Sequence, residues 1–323
     1  MEKKTVLVTG IGGNVGQGIL RNIRAMGLGI RLIGTNTKDF SPGNHLCDFV
    51  YPVPFSSHSR YLPTLKKIIE REKVDLVIPS TDLEVFYLAG NKHKLKAKVL
   101  ASDVQTARIY LDKYLTYQYL SAHDIPFVTT WLPKNFNRSP GRFIAKPRKG
   151  WGSRGILRGK ITPSALPAGY IIQPWLRGTE ITTAVYVNQQ GQLHGLITME
   201  RSLSHGTTTE CRVVFDYDAA LERIAQKMIR LGGLVGSFNI QSMVTRTKKV
   251  VPFEINCRFS GTNSIRHHFG FQDVKYALQE HLLNQKPDPP KIVAGAATRI
   301  LMDVIYPDPE KYRKDHQPRP ILH

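Results

Sequence analysis

An α/β block followed by a more antiparallel α+β region is the fold class this sequence predicts, and three observations predict it. Strand-like and helix-like segments alternate through the first 105 residues, the pattern of an open parallel sheet with helices on both faces. Beyond residue 125 the texture changes to apolar runs joined by Gly and Pro turns, as in antiparallel sheets. Glycines cluster twice, at 10–18 and at 150–155, each time directly after a strand-like run.

The elements follow in order. Strands are expected at TVLVTG, IRLIGTN, DFVYPVP, VDLVIPS and KVLAS, with helices at Gly16–Met26 and Tyr61–Glu72. In the second helix Leu62, Leu65, Ile68 and Ile69 recur at helical spacing and form one apolar stripe. A helical pattern from 106 to 125 ends at Pro126, because the residue before proline disfavours the α region. RFIAKP, GILRGK, YIIQPWL, EITTAVYVN, QLHGLITMERS, GSFNIQSMV, VVPFEINCRF and GAATRILMDVIY then read as strands. Helices return at Asp218–Leu231 and near Asp273–Leu283, Pro287–Pro290 reads as a linker, and the C-terminal HQPRPILH is expected to be loose.

Composition bounds the rest. The chain has 323 residues, 41% of them hydrophobic and 9% aromatic, which suits two or three subdomains with well-buried cores. No run of about 18 apolar residues is present, so no membrane partner is expected. The opening Met-Glu-Lys-Lys has no signal-peptide anatomy. Cys47, Cys211 and Cys257 are widely spaced and form no CxxC pair, which argues for a reducing, cytoplasmic location and against a zinc ribbon. Lys and Arg outnumber Asp and Glu by 45 to 25, a net charge of +20. The basic residues are scattered and lack the interleaved aromatics of a single-strand binder, so no dedicated nucleic-acid partner is expected. The charge hints weakly at anionic substrates such as dicarboxylic amino acids.

The first glycine cluster, VLVTGIGGNVGQGIL, invites a nicotinamide-cofactor reading that its context does not support. A Rossmann site places an acidic residue at the end of the second strand to bind the ribose. Here Thr35, Asn36 and Thr37 stand there, and no Tyr-x-x-x-Lys pair occurs anywhere in the chain. The loop is therefore expected to be a tight strand-to-helix turn at the edge of a substrate cleft.

The second cluster, AKPRKGWGSRGI, carries Lys146, Gly150, Gly152, Ser153, Arg154 and Gly155 between two strand-like segments. Such a loop can fold over phosphates, with backbone N–H groups and cations offsetting their charge. About a hundred residues later, VVPFEINCRFSGT puts Glu254 and Asn256 on one face of a strand. A carboxylate and an amide oxygen suit Mg²⁺, which shares its remaining positions with water and phosphates. Arg258 continues on that face, suited to a phosphoryl oxygen. On SFNIQSM, Asn239 and Gln241 alternate in the same way and offer a further ligand.

In these motifs and their order the sequence resembles the ATP-grasp superfamily, most closely the carbamoyl-phosphate-synthase large-chain-like branch. The resemblance covers nearly the whole chain. It implies an ATP-grasp fold with a Rossmann-like pre-ATP-grasp domain (1–105), a lid subdomain (106–172) and a C-terminal subdomain carrying the Mg²⁺ and ATP platform (173–323). LDKYLTYQYLSAHDIPFVTTW is similar to the segment that opens the lid, with Lys113 as the first ATP lysine and Lys146 as the second. IIQPWLRGTEIT resembles the hinge, where Gln173 lies on the adenine side, Leu176 offers backbone to the base and Glu180 binds the ribose. GSFNIQ and EINCRFSGT resemble the metal platform, with Gln241, Glu254 and Asn256 as ligands and Arg258 facing the γ-phosphate.

Two positions depart from the family pattern. Cys257 replaces a usual proline, which alters backbone stiffness rather than ligand chemistry, and Gln241 replaces a carboxylate found in many relatives. The implied reaction is ATP-dependent joining of a small-molecule carboxylate to an amine through an acyl phosphate, with Mg²⁺ as the metal, Mn²⁺ tolerated, and a homodimer as the assembly. Arg201 and Arg266 are the expected carboxylate clamps, and Glu210 and Arg212 are candidates for the acceptor pocket. His267 and His268 are expected to pack rather than to bind metal. The alternatives are a non-catalytic, regulatory nucleotide-binding module and, more remotely, an NAD-binding or nucleic-acid-binding protein.

Overall fold

The computed structural model describes residues 3–137, 141–150, 152, 154–204, 206–306 and 321–322. The first region runs β1 (Thr5–Val8), α1 (Asn14–Ala25), β2 (Arg31–Asn36), β3 (Phe49–Pro52), α2 (Tyr61–Glu72), β4 (Leu76–Ile78), α3 (Asp82–Ala89) and β5 (Lys98–Val99). Its five strands are all parallel, in the order β3-β2-β1-β4-β5. The order reverses between β1 and β4, and open α/β sheets bind ligands outside the strand ends at such a switch point.

The glycine-rich turn after β1 sits at that point. Gly10 adopts φ +59, which an L side chain seldom takes. A Cβ on Gly16 would lie 2.7 Å from the Gly10 carbonyl oxygen, so glycine lets α1 start close beneath the turn.

Helix α3 follows the same switch point and had no apolar stripe to announce it. Its signal is a capping box: the Glu84 N–H donates to the Thr81 hydroxyl, which in turn donates to the Glu84 carboxylate. The expected 106–125 helix is two helices, α4 (Val104–Leu111) and α5 (Lys113–Ala122), because Asp112 is extended and caps the second through the N–H groups of Tyr114 and Leu115.

A small antiparallel sheet follows, made of β6 (Phe143–Pro147), β7 (Leu157–Gly159) and β8 (Tyr170–Pro174) in the order β7-β6-β8. The largest sheet takes β9 (Gly178–Val187), β10 (Leu193–Ser204), β11 (Thr207–Val213), β12 (Gly236–Thr245), β13 (Val250–Asn256) and β14 (Ala296–Thr298). Their order is β13-β12-β9-β10-β11-β14. Helix α6 (Asp218–Arg230) covers this sheet, and α7 (Asn263–Arg266) and α8 (Asp273–His281) lie against α1. The last expected strand divides: β14 joins the large sheet, while β15 (Val304–Ile305) pairs with β16 (Ile321–Leu322), leaving the rest of the C-terminal stretch outside the described residues.

One hydrophobic core runs through both regions. Val6, Val8, Ile19 and Leu20 from the parallel region share a cluster with Ala184, Tyr186, Phe271, Tyr276 and Leu278. The small sheet has its own core of Phe143, Ala145 and Ile172, with Trp131 packed on it.

This arrangement corrects the expectation for Arg266. The side chain is fully buried and lies away from the large cavity described below. Its guanidinium pairs with both oxygens of Asp273 and donates to the Ser260 and Thr262 hydroxyls. Such a group ties α7 to α8 and cannot clamp a substrate. Removing one partner of a buried pair strands the other charge. Asp273→Ala is expected to cost about 3–5 kcal/mol of stability, read from urea unfolding, while Asp273→Asn recovers part of it.

Candidate active site

A cavity of about 740 Å³ lies between the ends of the parallel strands and the two antiparallel sheets. Its floor and roof are set by capping and packing. Asp112, besides capping α5, accepts two hydrogen bonds from Arg148, at 3.1 and 2.7 Å. This anchors the base of the second glycine loop to the start of α5 and puts Lys113 beside Lys146. The tip of that loop reaches the β10–β11 turn, where a Cβ on Gly206 would lie 2.4 Å from the Gly152 carbonyl oxygen. Gly150, Gly152 and Arg154 line the cavity, whereas Ser153 lies outside the described residues.

Both lysines face one carboxylate. The Lys113 ammonium is 3.7 Å from Glu254 and donates to the Gly150 carbonyl at 3.1 Å, and Lys146 is 4.0 Å from the other Glu254 oxygen. Lys146 also lies 5.1 Å from the centre of the Phe253 ring. Burial lowers the Lys146 pKa to about 8; Glu254 pulls it up and Lys113 pushes it further down. Burial alone would raise the Glu254 carboxyl, but Lys113, Lys146, the Asn256 amide and Arg258 outweigh it and hold it below its ordinary value.

Around Glu254 the side chains form a chain of hydrogen bonds. Gln241 stands opposite Glu254 in the β12–β13 register. Its amide donates to Asn256 at 3.1 Å, and Asn256 donates to Glu254 at 3.4 Å. Arg201, on β10, donates to Glu180 at 3.0 and 2.6 Å and to the Gln241 oxygen at 3.0 Å. Arg201 therefore lines the cavity, with its guanidinium held by two neighbours, Glu180 and Gln241. Asn239 turns away: it accepts from Thr182 and does not line the cavity.

The hinge side is polar and close-packed. Gln173 is buried, donates to the Thr130 hydroxyl at 2.9 Å and lines the cavity with Leu176 and Glu180. Glu210 and Arg212 lie on the exposed part of β11, with Arg212 paired to Glu200, so neither reaches the cavity; Thr207 and Thr208 do.

Two acids that sequence reasoning passed over complete the arrangement. One is Asp112. The other is Asp82, the first residue of α3, which accepts from Arg258 at 3.0 and 2.8 Å and from Asn256 at 3.3 Å. Their signal was positional, since each stands where a helix begins. The neighbouring Glu84 accepts from Thr9, Thr81 and Tyr61, and burial, outweighing those bonds, raises its pKa.

The oxygen donors fit a hard divalent cation. Glu254 would supply one carboxylate, and the Gln241 and Asn256 amide oxygens, which here accept from Arg201 and Gln241, would turn to the ion and leave positions for phosphate oxygens. Among the described residues no group of three His, Cys, Asp or Glu side chains could hold a metal by itself.

A strand-end cleft roofed by a small antiparallel sheet and floored by a larger one is the architecture of an ATP-grasp protein. Residues 110–262 match the family model described as ATP-grasp domain, and residues 6–101 match that of the PylC-like N-terminal domain. The chain is a member of the ATP-grasp superfamily. Among solved structures it is similar to N5-carboxyaminoimidazole synthetase from Staphylococcus aureus complexed with ADP, with TM-score 0.76 and 14% identity over 92% of this chain and 82% of that one. It is likewise similar to carboxyaminoimidazole ribonucleotide synthase from Aspergillus clavatus complexed with ATP (TM-score 0.69, 14% identity, 89% and 78% covered). A third is the biotin carboxylase domain of Hydrogenobacter thermophilus 2-oxoglutarate carboxylase (TM-score 0.70, 13% identity, 95% and 76% covered). A search of curated protein sequences finds no match.

The lysine pair yields a direct test. With ¹⁵N-labelled lysine, the Lys146 ammonium is expected to titrate near 8, and Glu254→Gln is expected to move it lower, because that carboxylate is what raises it. Since the folded pKa lies below the unfolded value, this group's contribution to stability improves as pH rises from about 8 towards about 10.4.

Proposed function

We propose that the protein is an ATP-dependent carboxylate–amine ligase that forms an amide or peptide bond through an acyl phosphate and releases ADP and phosphate. The observation that carries this reading is the convergence of Lys113, Lys146, Glu254 and Arg258 beneath a glycine-rich loop. ATP lies with its base against the hinge at Gln173 and Leu176, its ribose at Glu180 and its phosphates under Gly150, Gly152 and Arg154. Mg²⁺, held by Glu254, Asn256 and Gln241, would neutralise phosphate charge, and Mn²⁺ would serve in its place.

Phosphoryl transfer needs chiefly positioning and charge neutralisation. A carboxylate oxygen of the first substrate attacks the γ-phosphorus, and the bond to ADP breaks. The amine nitrogen then attacks the acyl carbon, phosphate leaves with the bonding pair, and the amine proton is lost. Lys146 and Arg258 offset the charge that gathers on the transferred group. The loop that meets Gly206 keeps water from the acyl phosphate, which would otherwise hydrolyse.

The carboxylate and amine occupy the strand-end half of the cavity. Asn14, Asn36, Thr37, Ser56, Ser80 and Thr81 give it a hydrogen-bonding lining, to which Asp82 and Glu84 add two carboxylates. That lining favours small polar substrates over the polyanions that net charge suggested. The proposed division at 1–105, 106–172 and 173–323 assigns substrate, lid and platform parts, with β8 (Tyr170–Pro174) running across its second boundary. Three free, buried cysteines support a reducing, cytoplasmic setting. Among the described residues no helix is long and apolar enough to cross a membrane. A homodimer is the proposed assembly, in keeping with the dimer named for the Hydrogenobacter domain and with exposed Ile300, Leu301 and Met302.

An ADP-release screen over pairs of small carboxylates and amines, run with Mg²⁺, tests the reading. One or more pairs are expected to release ADP together with a stoichiometric amide product. Glu254→Ala is expected to lower that rate by at least about a hundredfold. Release that persists in Glu254→Ala would sink the metal-platform assignment.

A further inference from the structure

Arg258 reaches the cavity with its charge already answered. Its Nε and Nη2 both donate to one oxygen of Asp82, and its Nη1 donates to the Phe259 carbonyl at 2.9 Å. The two side chains are only 13% and 16% exposed, so little water screens the pair. Asp82 comes from the parallel region and Arg258 from the end of the platform strand, and the bond thus crosses the cleft from the substrate half to the phosphate half. The other oxygen of Asp82 accepts a 3.3 Å bond from Asn256.

A carboxylate in contact with a guanidinium cancels most of the field that a phosphate would feel from it. Glu84, the neighbouring acid, is already engaged by three hydroxyls. Asp82 is the acid on this helix whose partners belong to the platform.

We propose that Asp82 is a positioning residue that parks Arg258, holding the arginine's charge away from the γ-phosphate until a hydrogen-bond donor bound in the substrate half takes over the carboxylate. An amine group is the donor of matching chemistry. Occupation of the substrate half would thereby release the arginine for phosphoryl transfer, and an empty substrate half would leave ATP poorly activated. The inference rests on the reading of Arg258 as the γ-phosphate group.

The test compares binding of Mg²⁺·AMP-PNP with that of Mg²⁺·ADP to the full chain by calorimetry, because only the first carries a γ-phosphoryl group. Asp82→Asn is expected to tighten Mg²⁺·AMP-PNP about tenfold and to leave Mg²⁺·ADP within about twofold. The gain is expected to vanish in the Asp82→Asn/Arg258→Gln double variant. Asp82→Ser, with thermal unfolding recorded for both, serves as the second variant should Asn pack poorly. A gain in affinity is a result that damage to the fold does not produce. Unchanged or weaker AMP-PNP binding, equal tightening of both nucleotides, or a gain that survives in the double variant would each overturn the inference. If Arg258→Gln leaves the ratio of the two affinities unchanged in both backgrounds, the γ-phosphate reading falls, and the inference with it. Loss of that ratio in Arg258→Gln while Asp82→Asn has no effect removes the inference alone.

Discussion

Two lysines cannot share a dry cleft unless an anion stands between them, and in this protein the anion is Glu254. Its carboxylate meets Lys113 on one side and Lys146 on the other, at 3.7 and 4.0 Å. Burial acts against all three charges, yet the mutual attraction is enough to keep the carboxylate ionised and to leave Lys146 only partly depleted of its proton near pH 8. The rest of the cleft is built so that this contact can form. Asp112 starts α5 and holds Arg148, which sets Lys113 at the loop base, while the β12–β13 pairing sets Gln241 opposite Glu254.

Much of this was legible from the chain. The alternating elements named the parallel region, and the Lys146 loop and the Glu254-x-Asn256-x-Arg258 spacing named Lys146, Glu254 and Arg258, which line the cavity, and Asn256, which is hydrogen-bonded to Glu254 behind it. Strand periodicity is a local property, so it reports which side chains share a face. It does not report what they meet there. Arg201 and Arg266 look alike as isolated arginines, yet one lies on the cavity wall against Glu180 and the other is sealed between α7 and α8 by Asp273. Asp82 was readable only as a helix-starting acid, and its role was hidden for the same reason: its partners lie 174 and 176 positions away along the chain. Helix α3 was different, since the Thr81-x-x-Glu84 capping box was present in the sequence and readable.

The two glycine clusters show how one residue type serves two ends. Around Gly10 and Gly16, glycine permits a turn and a close approach of helix to turn, and the polar residues that follow supply the cavity lining. At Gly152 it permits a left-handed backbone, φ +65, where an added Cβ would meet open space. The first is a packing requirement in the interior. The second is a requirement of backbone conformation.

The continuous core that joins α1 to α8 and the large sheet has a mechanical consequence. Val6, Ile19, Tyr186 and Leu278 belong to one packed body, so the parallel region and the platform cannot swing apart without opening that interior to water. The small sheet rests on three buried residues of its own, and regions with few buried apolar contacts open at the lowest free energy. Of these two parts the small sheet is the one whose opening would expose the least apolar surface, while the spacing of the walls beneath it is fixed by the shared core.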